Sequence, residues 1–304
     1  MIECRDLLKR YGKIVALNNL TFAIEPGLVG LLGPNGAGKS TLISVLLSQT
    51  PATAGEATVL GFSARRQQRQ IRRRIGFMPE NDCLIPGLSG TGYVVYAAKL
   101  SGMSHADAMQ RAHLVLDYVD LGEARYRPAE QYSAGMKQRL KLAQALVHDP
   151  QVLFLDEPTN GMDPQGRQTM LGLIEDLGRA GISVLLSSHL LPDVERVCRS
   201  VVVMGGGSVL ASGSIGEMQK PHPTLYTIEY AGAEDAFCRR LLEQQVAVHE
   251  RSNAALAIEL PAAGQQRLVL VAARETNTKL RAMRPKRSSL EEMFLAALSR
   301  QQKP

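Results

Sequence analysis

Hydrophobic and polar positions follow two patterns along the first two thirds of the chain. Short apolar runs, typical of strands buried in a sheet, occur at Leu28–Leu32, Gln151–Leu155 and Ile182–Ser187. Apolar residues at three- and four-residue spacing predict helices at Tyr93–Leu100 and Ala106–Val119. Further strands are predicted up to Tyr11 and at Thr21–Ile24, and further helices at Leu42–Leu47 and Gln165–Ala180. Strands that alternate with helices indicate an α/β fold with a largely parallel sheet covered on both faces.

The pattern changes after the segment Pro221-His222-Pro223, which we predict to be a linker because proline cannot donate to a sheet ladder. Beyond it the sequence predicts a small α+β unit with strands at Leu225–Tyr230 and Ala255–Leu260 and a helix at Ala233–Gln244. A last helix is predicted from Ser289, where Glu292 completes a capping box, with Leu290, Phe294 and Ala297 on one face. We therefore expect two domains, residues 1–217, with a helical part at about 81–149, and residues 222–304.

The composition excludes several classes of protein. Of 304 residues, 45% are hydrophobic and 21% charged, which argues against a largely disordered, collagen-like or membrane-embedded chain. No apolar window is long enough to span a membrane, and the charged N-terminus does not resemble a signal peptide. The scattered cysteines, without a CxxC pair, indicate reducing cytosol and no zinc site. A net charge of +6 fits an anionic partner without identifying it.

A glycine-rich segment predicts a phosphate-binding loop. Residues 33–41 match the pattern G-x-x-x-x-G-K-[ST], between a predicted strand and a predicted helix. The segment consists of Gly33, Pro34, Asn35, Gly36, Ala37, Gly38, Lys39, Ser40 and Thr41. Its glycines let backbone N–H groups turn toward phosphate oxygens, Lys39 would reach the β- and γ-phosphates, and Ser40 would bind Mg²⁺. The loop predicts a nucleoside triphosphate site, which kinases and GTPases also have.

Two acidic residues follow a second buried strand. Four apolar residues lead into Asp156 and Glu157, at the edge of the sheet where α/β proteins bind ligands. Asp156 suits a position beside Mg²⁺, and Glu157 is the candidate general base for an attacking water. Asp163 lies in the rigid turn that follows, from Pro158 to Pro164, where it can also be an ordinary helix cap.

A third motif lies 23 residues before Asp156 and identifies a family. With the sequence Tyr-Ser-Ala-Gly-Met at 132–136, the chain resembles the ATP-binding subunits of ABC transporters, in the branch with a YSxGM signature that includes drug, lipid and polysaccharide exporters. The resemblance covers residues 1 to about 217 and all motifs stand in the family's order. It implies a P-loop ABC ATPase domain with antiparallel N-terminal strands and a helical subdomain, followed by the α+β extension.

The resemblance implies a role for five further residues. Tyr11 matches the aromatic residue that stacks on adenine, although it can also pack within a strand. Ser133 and Gly135 match positions that touch the γ-phosphate of ATP held by the other subunit. Asp163 matches a loop that crosses between subunits. His189 matches a histidine that contacts the γ-phosphate and orients the water, although a histidine after a strand can also be an ordinary surface residue.

Two positions depart from the family's pattern. Glu80 stands where the family usually has a glutamine that touches Mg²⁺ and the attacking water. Its additional charge can alter metal coordination, or Glu80 can lie in a loop outside the metal shell. Ala134 replaces a signature glycine, which we expect to be tolerated because alanine keeps the backbone N–H.

The resemblance also implies partners. The signature cannot reach its own chain's phosphate loop in this fold, so two copies would close head to tail on two ATP molecules. A separate transmembrane permease would dock at the loop of Glu80 and the helical segment after it, which predicts a cytoplasmic subunit held at the cell membrane. The alternatives are a soluble ABC ATPase acting on nucleic acid or ribosomes and a non-hydrolysing regulatory module; no specific nucleic acid is expected. Basic clusters at Arg65–Arg74 and Arg281–Arg287 can bind anionic lipid or nucleic acid, or be solvated.

Overall fold

The computed structural model describes residues 1–219, 221–252, 255–287 and 290–301, and the chain forms two compact units. The first unit consists of Met1–Gly216 together with the end of the last helix from Phe294 onward. The second unit is Glu217–Met293. The division after Gly216 lies next to residue 217, where the sequence predicts the end of the first domain.

The described part of the first unit has ten strands, and along the chain most of its helices fall between strands of the larger sheet. The strands are β1 (Ile2–Tyr11), β2 (Ile14–Ile24), β3 (Leu28–Leu32), β4 (Ala54–Val59), β5 (Phe62–Ser63), β6 (Ile75–Met78), β7 (Val152–Asp156), β8 (Ser183–Ser187), β9 (Ser200–Gly205) and β10 (Ser208–Ser214). The helices are α1 (Lys39–Leu46), α2 (Gln68–Arg72), α3 (Gly90–Leu100), α4 (His105–Tyr118), α5 (Ala134–Leu146), α6 (Pro164–Arg179) and α7 (Leu191–Val197), and α8 (Ile215–Met218) ends the segment.

Two sheets form the frame of the first unit. The six-stranded sheet has the order β10-β9-β3-β8-β7-β6 and is parallel except for β10, which pairs antiparallel with β9. The four-stranded sheet has the order β2-β1-β4-β5 and is antiparallel. The strands β7 and β8 are buried along their whole length, as their apolar runs predict. The predicted parallel α/β fold with antiparallel N-terminal strands is confirmed.

Strand β2 begins earlier than the predicted Thr21. Its first part, from Ile14, pairs with β1 across a turn at Gly12, whose φ is 57°. Ile14 and Val15 are exposed and two asparagines follow, so burial alternates clearly only from Leu20 onward. A strand segment without a regular alternation of buried and exposed residues gives no clear period-two pattern, so the sequence predicts only the last part of β2.

The helices after residue 81 have defined starts. The hydroxyl of Ser89 accepts a hydrogen bond from the Gly92 N–H at the start of α3, and Ser104 accepts one from Asp107 at the start of α4. Such caps satisfy donors that the first helical turn leaves free. Two short 3₁₀ helices, Gly122–Tyr126 and Ala129–Gln131, then lead to α5. The predicted helices at Tyr93–Leu100 and Ala106–Val119 are confirmed with small shifts of their ends.

Gly76 of β6 packs closely against α5 and against Leu153 of the neighbouring strand β7. A Cβ atom at this position would lie 2.1 Å from the Ala145 carbonyl oxygen and 2.6 Å from Leu153 Cδ2. Gly76→Ala should therefore lower the free energy of unfolding by about 3 kcal/mol, because the backbone must move to admit the methyl group. Gly172→Ala in α6, where the methyl group meets no atom within 4 Å, is the matched control and should stabilise by up to about 1 kcal/mol. Urea unfolding followed by circular dichroism measures both changes, and equal midpoints would contradict the predicted contact.

The second unit is a small α+β fold. Its elements follow in the order strand, helix, strand, strand, helix, strand: β11 (Pro221–Ala231), α9 (Glu234–Glu243), β12 (Ala247–Ser252), β13 (Ala255–Glu259), α10 (Arg267–Glu275) and β14 (Lys279–Arg287). The antiparallel sheet has the order β12-β13-β11-β14, which is a ferredoxin-like arrangement. Its core includes Ile228, Phe237, Leu241, Leu256 and Ile258. The last helix, α11, spans Leu290–Gln301.

The linker predicted at Pro221–Pro223 is wrong, because these residues begin β11. Proline is tolerated there because β13 pairs with β11 only from Leu225 onward, so no described strand pairs with Pro221–Pro223 on that side and fewer backbone donors are needed. The capping box predicted at Ser289 lies outside the described residues, and so does the side chain of Ala297. Within the residues that the structure describes, no helix has the length and the apolarity needed to cross a lipid bilayer.

Candidate functional site

The segment Gly33–Gly38 forms a loop between the end of β3 and the start of α1. Lys39, the first residue of α1, is 9% exposed. Its Nζ donates to the carbonyl oxygens of Gly33 at 2.6 Å and Pro34 at 3.3 Å, so the side chain folds back over the loop. The N-terminus of α1 and its free N–H groups therefore face the same space as the lysine charge, which is the arrangement that binds phosphate groups.

Glycine is required at Gly38 for two reasons. Its φ of 99° is a backbone conformation that other residues rarely adopt, and a Cβ atom there would lie 2.6 Å from the Ala16 carbonyl oxygen. Gly33 is equally confined, since its Cβ would lie 2.7 Å from the carbonyl oxygen of Met204. The backbone of the loop thus runs in contact with β2 and β9, which holds its curvature.

The two acidic residues lie at the end of β7. Asp156 is its last residue, and Glu157 follows with a φ of 50°, which is unusual for a residue other than glycine. The Glu157 N–H donates to the Ser187 carbonyl of β8 at 2.9 Å, which ties this turn to the sheet. Strained backbone conformations of this kind occur often at functional sites, and here the conformation turns the chain at the edge of the sheet beside the phosphate loop.

His189 follows β8 and is in contact with Glu157. Its Nδ1 lies 2.8 Å from Glu157 Oε2, while about half of the histidine side chain is exposed to solvent. The two residues follow neighbouring parallel strands, β7 and β8, whose carboxyl ends meet at one edge of the sheet. The pair therefore consists of a buried carboxylate and an accessible imidazole.

One cavity of about 570 Å³ brings these groups together. It is lined by the loop residues Asn35, Gly36, Ala37, Gly38, Lys39, Ser40 and Thr41, by Glu80, Asp156, Glu157 and His189, and by Ile14, Val15 and Ala16 of β2. Segments that are distant in the sequence thus meet in one place. The β2 residues were not predicted to belong to the site, because nothing in their sequence marks them.

Charge and burial oppose each other in this cavity. Burial raises the pKa of Glu157, and the hydrogen bond from His189 opposes the increase. Burial likewise raises the pKa of Asp156. For Lys39, burial lowers the pKa and the carboxylates of Glu157, Asp156 and Glu80 raise it. Of the residues that the structure describes, three carboxylates and one lysine line the cavity, and this excess of negative charge favours the binding of a cation.

Comparison with known proteins gives the family. The family model described as ABC transporter matches residues 17–160. The linearmycin resistance ATP-binding protein LnrL of Bacillus subtilis is 32% identical over 97% of each chain. The daunorubicin/doxorubicin resistance ATP-binding protein DrrA of Streptomyces peucetius is 35% identical over 97% of this chain and 91% of its own. The chain belongs to the ABC transporter family. Within it, the chain is an ATP-binding subunit and an ATPase, as the sequence predicts.

Solved structures agree with this assignment. The dimeric structure of a post-hydrolysis state of the ATP-binding cassette MJ0796, bound to ADP and Pi, matches with a TM-score of 0.65 and 25% identity. The match covers 71% of this chain and 99% of that one. A structure of the ATP-binding subunit of an ABC transporter matches with the same TM-score and 29% identity, over 72% of this chain and 91% of that one.

The signature of this ABC subunit lies outside the cavity. Ser133 is exposed and caps α5, where its hydroxyl accepts from the Met136 N–H at 3.3 Å. Gly135 lies in the first turn of the same helix. Within one subunit, neither residue lines the cavity around Lys39.

Two other predicted residues also lie outside the cavity lining. Asp163 caps α6 by accepting from the Gly166 N–H at 3.1 Å, as the alternative of a helix cap predicts. Tyr11 is 48% exposed, so it is not packed inside the sheet, and the Lys9 ammonium lies 4.7 Å from its ring centroid. The exposed ring and the lysine form a cation–π contact at the end of β1.

A buried carboxylate that the sequence did not predict supports the acidic turn. Asp193 of α7 is 2% exposed and accepts from the Thr159 hydroxyl at 2.7 Å and from Arg167 Nε at 2.6 Å. It links the turn after Glu157 to α6 and α7. A buried aspartate is stable only with such partners, so all three residues hold the turn in one conformation. Asp193 was missed because it lies in an ordinary helix without a motif.

Proposed function

We propose that this chain is the ATP-hydrolysing subunit of an ABC export complex, in which two copies close head to tail on two ATP molecules and drive a separate membrane permease. The observation that carries the proposal is the hydrogen-bonded pair of Glu157 and His189 in the same cavity as Lys39. The printed names of LnrL and DrrA, both resistance ATP-binding proteins, support an export role. The permease would hold the subunit on the cytoplasmic face of the membrane.

The proposed chemistry uses the residues of the cavity. Backbone N–H groups of residues 35–41 and Lys39 would bind the β- and γ-phosphates, and the exposed Tyr11 would stack on adenine. Glu157 would accept a proton from the attacking water as its oxygen bonds to the γ-phosphorus, and ADP would leave. His189, bonded to Glu157 Oε2, would orient that carboxylate and contact the γ-phosphate. The raised pKa of Glu157 makes it a better proton acceptor than an exposed glutamate.

Ser40, Asp156 and Glu80 would hold Mg²⁺ beside the phosphates. All three offer oxygen atoms in one cavity, which is the type of ligand that Mg²⁺ prefers, and this cation usually adds phosphate and water oxygens to one or two carboxylates. The ion would neutralise charge on the phosphate oxygens. Glu80 faces the cavity, which supports a role within the site rather than in an outer loop.

Removing Mg²⁺ should abolish ATP hydrolysis, and Ser40→Ala should raise the Mg²⁺ concentration for half-maximal activity by about tenfold, the effect of losing about 1.4 kcal/mol of binding. A chelator titration followed by added Mg²⁺ measures this. Ser44→Ala is the matched control, because Ser44 lies one turn further along α1 and does not line the cavity. Equal Mg²⁺ dependence in the two variants would contradict the proposed ligand.

The closed dimer would complete each site with the signature of the other copy. Ser133 is exposed at the start of α5, where the positive end of the helix dipole would face a phosphate group of the partner's ATP. Asp163, exposed in the turn after Glu157, would lie at the same subunit boundary. The dimeric MJ0796 cassette, 25% identical to this chain, supports a dimer.

Affinity capture of the tagged full-length chain from detergent-solubilised host membranes tests the permease partner. A multi-spanning protein that co-purifies in a fixed ratio would support the transporter. Recovery only of soluble or ribonucleoprotein partners, with the chain absent from membranes, would contradict it and favour an ATPase acting on nucleic acid or ribosomes.

A further inference from the structure

Helix α5 contains a lysine that is almost completely buried. Lys141 is 1% exposed, and its Nζ donates to the carbonyl oxygens of Pro79 at 2.9 Å and Glu80 at 2.8 Å. Both carbonyls belong to the turn that follows β6 and places Glu80 at the cavity. The ammonium group of Lys141 thus holds the backbone of the residue whose side chain faces the nucleotide site.

A second contact strengthens the connection between α5 and this turn. The carboxylate of Asp82 lies 3.7 Å from Lys141 Nζ through one oxygen and 3.2 Å from Lys137 Nζ through the other. Lys137 lies one helical turn before Lys141, so the two lysines face the same segment. Asp82 is half-exposed, whereas the contacts of Lys141 to the two carbonyls are buried.

The burial of Lys141 requires these partners. A charged ammonium group removed from water is unfavourable unless it is paired and hydrogen-bonded, and an apolar side chain here would leave two carbonyl oxygens without their donor. Lys141 therefore satisfies the two buried carbonyl oxygens. It fixes the distance between α5 and the Glu80 turn.

The other end of α5 is the signature. Ser133 caps the helix, and Lys141 follows eight residues later, which corresponds to about 12 Å along a continuous helix. Between them, Gln138 Nε2 donates to the Asn160 carbonyl at 2.9 Å, in the turn after Glu157. Helix α5 therefore begins with the signature and contacts both the turn after Glu157 and the turn of Glu80.

We propose that Lys141 is a positioning residue that transmits movement of α5 to Glu80. When Ser133 binds ATP held by the partner subunit, α5 shifts and Lys141 carries the Glu80 turn with it, so occupancy of one nucleotide site adjusts the other in the dimer. The inference rests on the proposed function, since Ser133 requires a partner's ATP. Coupling of this kind makes ATP binding at the two sites cooperative.

A natural reporter for the Glu80 turn is present in the chain. Cys83 is exposed three residues after Glu80, and the other three cysteines are buried. The rate at which an aromatic disulfide reagent modifies Cys83 therefore reports the conformation of this segment. In the full-length Glu157→Gln chain, where hydrolysis is blocked, ATP should change this rate. Lys141→Met should make Cys83 react several-fold faster without ATP and should remove most of the response to ATP.

Two further variants make the test specific. Lys137→Met also removes one positive charge and one contact with Asp82, but it leaves the hydrogen bonds from Lys141 to the Pro79 and Glu80 carbonyls. The change in Cys83 reactivity on addition of ATP should therefore remain close to that of the parent. Lys141→Gln keeps an amide donor for the carbonyls and should restore part of the response. It also replaces Lys141→Met in the test if that variant does not fold by circular dichroism.

Steady-state kinetics provide an independent measurement with Glu157 intact. Lys141→Met should lower kcat about tenfold, keep KM for ATP within about twofold, and reduce the Hill coefficient toward one, because the phosphate loop is unchanged while the coupling is lost. An unchanged Cys83 response and Hill coefficient in Lys141→Met and Lys141→Gln, with Glu157→Gln inactive, would overturn this inference alone. An inactive parent chain, or an active Glu157→Gln variant, would contradict the proposed function and the inference with it.

Discussion

Replacing Glu157 by glutamine should lower the rate of ATP hydrolysis by about 10³-fold, within the range that a general base contributes. Glutamine has nearly the same shape and can still bond to His189, but its amide cannot accept the proton of the attacking water. ATP binding should persist, because the phosphate loop and Lys39 are untouched. Phosphate release from the purified chain measures the rate, and equilibrium binding of ATP measures the affinity.

Glu25→Gln is the matched control for this variant. Glu25 is exposed between β2 and β3 and does not line the cavity, so the rate of Glu25→Gln should stay within about twofold of the parent. A Glu157→Gln chain that retains a tenth or more of the parent rate would show that another group accepts the proton.

Lys39→Ala should weaken ATP binding by at least about 100-fold, or about 2.7 kcal/mol. Among the described residues, the variant loses the only lysine that lines the cavity, in a space that also holds three carboxylates repelling the phosphates. It also leaves the carbonyl oxygens of Gly33 and Pro34 without their donor, so the loop is less well ordered. Isothermal titration with ATP measures the change, and hydrolysis should fall below detection.

Lys99→Ala is the control for loss of a positive charge. Lys99 is exposed in the last turn of α3, and its removal should leave ATP affinity within about twofold. Circular dichroism melting of both variants separates a binding effect from unfolding. A folded Lys39→Ala chain with the affinity of Lys99→Ala would contradict the phosphate-binding role of the loop.

The parts of the site that are contiguous in sequence could be predicted. The loop at 33–41 and the acidic pair at 156–157 can be recognised from the sequence, because adjacent elements of the chain determine their geometry. The family resemblance implied that His189 contacts the γ-phosphate, but its contact with Glu157 depends on the pairing of β7 with β8, which neither the resemblance nor the periodicity predicted.

The supporting contacts could not be predicted from the sequence. Lys141 and the Glu80 carbonyl are 61 residues apart, and Asp193 and Thr159 are 34 apart, so only the fold brings them together. Nothing in the local pattern distinguishes Lys141 from an exposed lysine of an amphipathic helix, although it is fully buried. Partners at long sequence separation depend on topology, and single-sequence patterns describe local periodicity.

Strands with irregular burial patterns were also predicted incompletely from the sequence. In the first half of β2, Ile14 and Val15 are exposed and two asparagines interrupt the alternation, and β11 begins with prolines that suggest a linker. In both strands the pairing neighbours, rather than the residues themselves, impose the extended conformation. The fully buried strands β7 and β8 were predicted well, because burial on both faces leaves a continuous apolar run.

The mass of the Glu157→Gln chain in solution, measured by light scattering with and without ATP, is the most direct test of a nucleotide site completed by a second copy. A chain of 33.1 kDa should double its mass when ATP and Mg²⁺ are added and should return to its original mass when both are removed. Ser133→Glu, which places a negative charge where a partner's phosphate would bind, should remain at the mass of one chain. A Glu157→Gln chain that binds ATP but keeps the mass of a single chain at every ATP concentration would contradict the head-to-tail dimer.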